Sequence, residues 1–498
     1  MKKTLQRVLL GVLLVVVLAS ALTFISSYNK KRNVGKGDEY LNPNVQTVKI
    51  VLDPWIGWKS LLDANGGLKT SSNSINAANG IKVEYIFEGD ANKSSDMLIS
   101  GKAQGCGYTI NRTAYLQNKL DEAGVETVMP FVTNYSNGGD GIISTEDIKS
   151  VEDLVGKKIA VPKFSEAQTL VEWLLRNSSL TEDQVKEIRR NMKMCETADD
   201  TAEAFFAGEV DAAATWEPYL TQATTSTDAR IMFDTSMATN LIMDGILFDK
   251  KFAEANPDWI ATWISGALDS RDQYQTNFSN IRKVEEFKLM SDEEIYEMTE
   301  YASLATYADN LSILENTGIV VYKNMAEIWI DLGEKADPEK AKDVFSSEYI
   351  QKLSDKYPDD DFTTFGFSAA GRSAAENVSN NSALLKVTLN IEFDEDTYKV
   401  KRSSAPKLRE FAEVAKILNG TYIQIEGNTA HVDDEVDGKK VSEERARSVA
   451  KYLQALGIDS ERFIIVANGD TNPIASNDTE EGRQKNRRTD VFFKVYGY

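Results

Sequence analysis

The stretch from Phe205 to Pro218, FFAGEVDAAATWEP, admits few folds, because a helix end, a chain reversal, a fully covered strand and an aromatic loop follow one another within it. Thr201–Ala207 puts Ala202, Phe205 and Phe206 on one side of a helix, and Gly208 stands just past its end, where a left-handed cap is least strained. Val210–Thr215 is apolar without alternation, as in a strand covered on both faces. Such strands build open, largely parallel sheets, whose ligands lie outside the carboxyl ends of the strands. Trp216 and Glu217 hold that position, and Pro218 blocks an immediate return to pairing. The long middle of the chain therefore reads as α/β with a binding crevice.

The flanking segments repeat the pattern. Val48–Leu52 reads as a strand, Asp53–Trp58 as the turn after it, and Lys59–Ala64 as a helix closed by Gly66 and Gly67. Ile81–Phe87 and Gln104–Ile110 are further strands, with helices over Ser94–Ile99 and Arg112–Leu120. Thr109 and Asn111 fall at a carboxyl end, where they serve either a ligand or the cap of the next helix. Val125–Val132 leads into polar Asn134–Asp140, a crossing into a second lobe over about 135–240, and Thr239–Phe248 crosses back. Ala253 to Tyr357 reads as helical, with Trp259, Ile260, Trp263, Ile264 and Leu268 as a core stripe. Capping-box patterns at Ser150, Ser165 and Thr181 mark three helix starts. The second follows the strand Lys158–Val161, so Ser165 and Glu166 stand at a helix N-terminus aimed at the crevice, which by itself favours an anion. Asp53, Asp140 and Glu217 also lie near strand ends, with Arg112 the nearby base. That acidic balance favours a neutral or cationic, ring-containing ligand held by tryptophan faces and carboxylates.

The run VEDLVGKKIAVP, Val151 to Pro162, followed by AGEVDAAATWEPYL, resembles the solute-binding proteins of ABC transporters, in the group that includes nitrate, sulfonate, taurine and thiamine-precursor binders. The resemblance covers about Val48 to Tyr349. It implies a two-lobed periplasmic-binding-protein fold of type II over 46–360, no catalysis, and lobe closure on a small molecule that is delivered to an ABC permease. In that family the first loop faces the ligand, which adds Trp55 and Trp58 to the expected ligand-binding set of Thr109, Asn111, Asp140, Ser165, Glu166, Trp216 and Glu217. Relatives that bind oxyanions carry small residues where this chain has Phe164, Ser165 and Glu166. Amines, pyrimidines, sulfonates and nitrate are the classes to screen.

Composition removes other functions. A net charge of −21 excludes a nucleic-acid binder. With His431 as the only histidine, histidine metal sites and Ser-His or Cys-His catalysis have no basis, so neither metal nor cofactor is expected. The thiamine-precursor synthases of the related family rely on histidine and cysteine chemistry, and the clamp has no histidine. Cys106 and Cys195 are too few for a disulfide framework and are either free or paired with each other. At the N-terminus, Lys2, Lys3 and Arg7 precede an apolar run from Val8 to Ile25, which meets the roughly 18-residue minimum for a membrane span. Ala19-Ser20-Ala21 offers a cleavage site, but the apolar run continues past it, and residues 1–33 are read as a transmembrane signal anchor. The expected location is the cell membrane, single-pass, with the bulk extracytoplasmic.

Gly366–Asn381, rich in Ser, Ala, Asn and Gly, marks a linker over 366–383. Beyond it, 384–498 reads as an α+β sandwich. Alternating Leu385–Ile391 is a strand, Leu408, Phe411, Ala415 and Leu418 line a helix, and Ile423 and Ile425 belong to a second strand. A helix over Ser442–Leu456 is followed by strands at Phe463–Val466 and Val491–Val495. Phe393-Asp394, Glu426-Gly427-Asn428-Thr429, Val441-Ser442-x-x-Arg445-Ala446 and the run Ser476 to Arg488 resemble the peptidoglycan-binding domain of the OmpA family. The resemblance implies a wall-binding site of Asn428, Thr429, Arg445 and Arg488, in which the arginine of the helix grips a carboxylate of the wall peptide. The aspartate that would hold the ligand's ammonium is replaced by Ala430, with Asp433 or Asp434 as substitutes from a rearranged loop. The sequence is thus read as a membrane-tethered solute-binding protein with a peptidoglycan-binding module; the alternative is an envelope tether or sensor whose clamp recognises a ligand without transport.

Overall fold

Apolar strands covered on both faces, joined by capped helices, assemble into two α/β lobes in the computed structural model, which describes residues 45–357, 383–393, 398–430 and 438–494. The first lobe opens with strands β1 (Thr47–Leu52), β2 (Lys82–Phe87), β3 (Gly105–Thr109) and β4 (Thr127–Ser136). The chain crosses at Asn137–Gly139 into the second lobe, built on β5 (Asp140–Ser144), β6 (Ile159–Pro162), β7 (Met192–Cys195), β8 (Ala212–Trp216) and β9 (Arg230–Asp234). It returns through Thr235–Ile242 to β10 (Met243–Asp249) and β11 (Ala302–Leu304), which complete the first sheet. That sheet runs β11-β4-β10-β3-β1-β2 and the second runs β7-β6-β8-β5-β9. In the first, β1 pairs in parallel with β2 and β3 while β10 is antiparallel to β3 and β4; in the second, β6 is parallel to β7 and β8 while β5 is antiparallel to β8 and β9. Two mixed sheets joined by two crossings make the expected hinged clamp.

The local reasons are those of the sequence, with three differences. The helix Ala198–Phe206 has a full capping box on Thr197, and Gly208 follows it at φ 70°. Strand β8 starts at Ala212 rather than Val210, because Asp211 is used in a turn whose carboxylate accepts from the Lys158 N–H at 2.8 Å. Ser150 begins no α-helix: Asp153 Oδ2 accepts from the Lys149 and Ser150 N–H groups, and only the 3-10 turn Glu152–Leu154 follows. The region after Ala253 is not wholly helical, since Ala302–Leu304 pairs with Asn134–Ser136 at the sheet edge. Ile260, Trp263, Ile264 and Leu268 are buried as expected.

The crossings meet at one hydroxyl. Thr235 Oγ1 lies 2.7 Å from Ser136 Oγ and accepts from the Gly138 N–H at 2.9 Å, and Ser136 donates its own N–H to the Ile242 carbonyl at 2.9 Å. Thr235 and Ser136 are fully buried.

The C-terminal unit has strands β12 (Leu385–Leu389), β13 (Tyr422–Asn428), β14 (Phe463–Gly469) and β15 (Thr489–Lys494) in the order β12-β15-β13-β14, with helices Ala405–Ile417 and Gly438–Ala455. Arg462, 4% exposed, donates to the carbonyls of Thr421, Ala415 and Leu418 and so closes the turn before β13. Cys106 and Cys195 are both free and buried, and burial pushes the Cys106 thiol up to about 12. Among the described residues no helix is long and apolar enough to cross a membrane. The run Val8–Ile25, the linker Gly366–Asn381, Asp394, Asp433 and Asp434 lie outside the described residues.

Removing the Thr235 hydroxyl takes away the acceptor of the Gly138 and Asp140 N–H groups and the partner of the Ser136 hydroxyl, all at the first crossing. Thr235→Val is expected to lower the unfolding free energy by about 1–3 kcal/mol, measured by denaturant unfolding of the purified protein.

Candidate functional site

A cavity of about 320 Å³ lies between the lobes, lined by Asp53, Pro54, Trp55, Gly89, Thr109, Arg112, Asp140, Glu166, Trp216, Ile242 and Asp244. Its walls are the carboxyl ends of parallel strands β1, β2, β3, β6 and β8 together with the first residues of antiparallel β5 and β10. Of the residues expected to bind ligand, Trp55, Thr109, Asp140, Glu166 and Trp216 therefore meet in one place.

Each is held from behind. Trp55 Nε1 donates to Asn134 Oδ1 at 2.9 Å, and Gly57 is what allows it: a Cβ there would stand 2.2 Å from that same oxygen. Thr109 caps the helix Ile110–Glu122 by accepting from the Arg112 N–H and donates its own proton to Glu166 Oε1 at 2.8 Å. Arg112 Nη2 donates to Glu166 Oε2 at 2.9 Å, and its Nη1 lies 3.6 Å from Asp53 Oδ2. Burial opposes the charge of Arg112, but Glu166 and Asp53 outweigh it and hold the guanidinium above its ordinary pKa. Its buried Nε has no partner.

The carboxylates outnumber that one base. Burial raises Asp53 above the usual carboxylate range, against the pull of Arg112 and the Trp58 indole N–H. Asp140, 7% exposed, is pushed up to about 7 by burial, a hydrogen bond with Ser136 only partly offsetting it. Asp244, 5% exposed, is driven well above that range by burial and then by Asp53, Glu166 and Asp140. A site of this kind favours a positive charge placed among the acids and repels a second anion.

The other expected residues are placed elsewhere. Trp58 is fully buried, donates Nε1 to Asp53 Oδ1 at 2.7 Å and packs on Gly107, so it orients a cavity carboxylate without lining the cavity. Asn111 reaches across the lobes to Thr169 Oγ1 at 2.9 Å. Ser165 caps its helix and donates to the Pro162 carbonyl. Glu217 accepts from the Thr221 N–H and hydroxyl. The helix N-terminus at Ser165 is already faced by Glu166, the first residue of that helix. Asp244 and Ile242 were not on the sequence-derived set. Their signal was an acidic residue inside the apolar run Leu241–Phe248, since a lone charge in a covered strand is costly without a purpose.

The lobes also meet outside the cavity. Phe164, at φ 54°, stacks on Tyr115 with ring centroids 5.1 Å apart, and Arg176 pairs with Glu327 at 2.5 Å.

In the C-terminal unit, the Arg445 guanidinium lies 5.2 Å from the Phe393 ring centroid, and its Nε has no hydrogen-bond partner. Burial, then the neighbouring Arg487, lowers its pKa. The buried Thr429 Oγ1 is also unpartnered. Asn428 and Arg488 are engaged with Asp490, and Arg488 with the Asn472 carbonyl as well. Asn486 bonds the backbone of Ile474 and Ala475.

Comparison with known proteins agrees with this division. Residues 77–273 match the family described as NMT1/THI5 like, and residues 392–487 match the OmpA family. The chain is 39% identical over 108 residues to outer membrane protein A of Bordetella avium, covering 21% of this chain and 56% of that protein. It is 38% identical over 84 residues to the peptidoglycan-binding protein ArfA of Mycobacterium tuberculosis, covering 17% and 26%. The periplasmic aliphatic sulphonate binding protein SsuA of Escherichia coli superposes with a TM-score of 0.47 at 18% identity, over 61% of this chain and 99% of that one. The curated relatives are matched over 14% to 56% of their length.

Asp140 gives a pH signature. Its folded pKa of about 7 lies above the ordinary 3.8, so its contribution to stability is full below about 3.8 and is lost progressively as pH rises from there through 7. Asp140→Asn is expected to stabilise the protein at pH 8 by about 2–4 kcal/mol, with the gain shrinking towards pH 4.5, read from denaturant midpoints across that range.

Proposed function

We propose that the protein is an extracytoplasmic binding protein, not an enzyme, that closes its lobes on a small ring-bearing cation for delivery to an ABC permease. Its C-terminal unit attaches to peptidoglycan and its N-terminal segment to the membrane. The observation that carries the ligand class is the cavity itself, in which Trp55 and Trp216 stand with Asp53, Asp140, Glu166 and Asp244 against the single base Arg112. Arg112 is already paired with Glu166 and close to Asp53. An ammonium or protonated ring nitrogen among Asp140 and Asp244, with its ring against an indole face, satisfies both the charge and the aromatic walls. A sulfonate or nitrate meets acids instead. The match of the middle of the chain to the NMT1/THI5-like family supports the solute-binding reading.

For the wall, support comes from the OmpA-family match and from a relative named as a peptidoglycan-binding protein. Arg445 is the residue we assign to a wall carboxylate, since its guanidinium is only partly engaged and Thr429 Oγ1 is unpartnered too. Ala430 leaves no acid at its own position to hold an ammonium.

A thermal-shift screen of amines, pyrimidines, sulfonates and nitrate is expected to give its shifts among protonated ring amines. Asp244→Asn and Trp216→Ala should each weaken the best hit about tenfold, or roughly 1.4 kcal/mol, and a screen that responds only to sulfonate or nitrate would refute the ligand class. Arg445→Ala should reduce co-sedimentation with purified sacculi; equal pelleting would remove the wall assignment.

A further inference from the structure

The C-terminal unit is seated on the moving part of the clamp. The turn after the helix Ala405–Ile417 meets the second crossing, where the Gly420 N–H donates to the Met237 carbonyl at 3.0 Å. Asn419 Oδ1 accepts from the Thr239 N–H at 3.0 Å, its Nδ2 donates to Thr239 Oγ1 at 2.7 Å, and Asn240 Nδ2 donates to the Lys416 carbonyl at 3.3 Å. The fit leaves no room, since a Cβ on Gly420 would stand 2.1 Å from the Ser236 carbonyl oxygen. A further bond joins the Val151 N–H of the second lobe to the Leu384 carbonyl at 3.4 Å. The unit is thus fastened to the second lobe and to the crossing next to Thr235.

Towards the first lobe it faces a gap. A crevice of about 890 Å³ runs between Asn419 and Gly420 on one bank and residues such as Arg271, Gln275, Glu300 and Ser303 of the first lobe on the other, with Tyr135 and Thr239 at its floor. The crevice and the wall of the ligand cavity are met from opposite faces of β4. Successive residues of a strand point to opposite faces, and on β4 Asn134 bonds Trp55 of the cavity wall while Tyr135 lines the crevice.

We infer that the C-terminal unit is a stop for the clamp: it rides with the second lobe, and its Asn419–Gly420 turn limits how far the first lobe can swing away from the ligand cavity. The width of the crevice sets the opening angle, and the docked turn keeps the clamp from splaying. The same chain segment that holds the wall thereby sets the range of the solute clamp.

The test is electron–electron double resonance on the full chain with spin labels at Lys102→Cys on the first lobe and Lys186→Cys on the second, both exposed, and with buried Cys106 and Cys195 left native. The otherwise native chain is expected to give a confined interlobe distance. Gly420→Leu, which cannot keep the docked turn, is expected to add a population longer by several ångström. Asn419→Ala removes the side-chain bonds without the clash and should shift the distribution the same way by less, so a folding defect in the leucine variant does not decide the outcome. Distributions that superimpose in all three proteins would overturn the inference. No solute or sacculus is used, so the result is independent of the ligand and wall assignments.

Discussion

One guanidinium sets the terms on which the two lobes can meet. Arg112, from the first lobe, pairs with Glu166 of the second at 2.9 Å and stands 3.6 Å from Asp53 of its own lobe. Closing a cleft whose walls carry four carboxylates strips water from all of them, and an unpaired buried charge costs several kcal/mol. Arg112 meets part of that cost by binding acids from both lobes at once. The remainder is visible in Asp140 and Asp244, which the interior holds towards their protonated forms. Thr109, Asn111 and Phe164 add hydrogen bonds and ring packing across the same boundary.

Much of this architecture was legible before any coordinates. Gly208, Gly66 and Gly67 adopt the positive φ expected of helix ends; helices start at Ser165 and Thr181 as read, with the full capping box at Thr181, whereas at Ser165 the Gln168 side chain accepts from the Phe164 N–H instead. The site was legible where a side chain stood at or just past the carboxyl end of a strand with parallel neighbours, as with Trp216 at the end of β8 and Trp55 after β1. It was not legible where orientation depends on packing: Trp55 and Trp58 sit in one short loop, yet one lines the cavity and the other is core, a choice made by Gly57, Gly107 and Asn134 together. Asp244 was hidden because β10 runs antiparallel, so its first residues rather than its last reach the cavity. Ser150 failed as a helix start because Asp153 folds its carboxylate back onto two local N–H groups, a competitor that side-chain spacing alone does not reveal.

The C-terminal unit shows the same division between polar residues that are consumed by the fold and those that are not. Arg462 and Arg488 are arginines consumed by carbonyls and by Asp490, whereas Arg445 is held mainly by the face of Phe393. Charge type alone would not separate them; the number of backbone carbonyls within reach does. Asn428 follows the same rule, since its amide is spent on Glu426, Asp490 and Asn468 around the end of β13.

The buried, unpaired state of Cys106 and Cys195 has a consequence for where such a fold can mature. No covalent cross-link has to be made for either lobe, and burial keeps the Cys106 sulfur in its unreactive thiol form. The final shape of the clamp therefore involves no disulfide between these two cysteines.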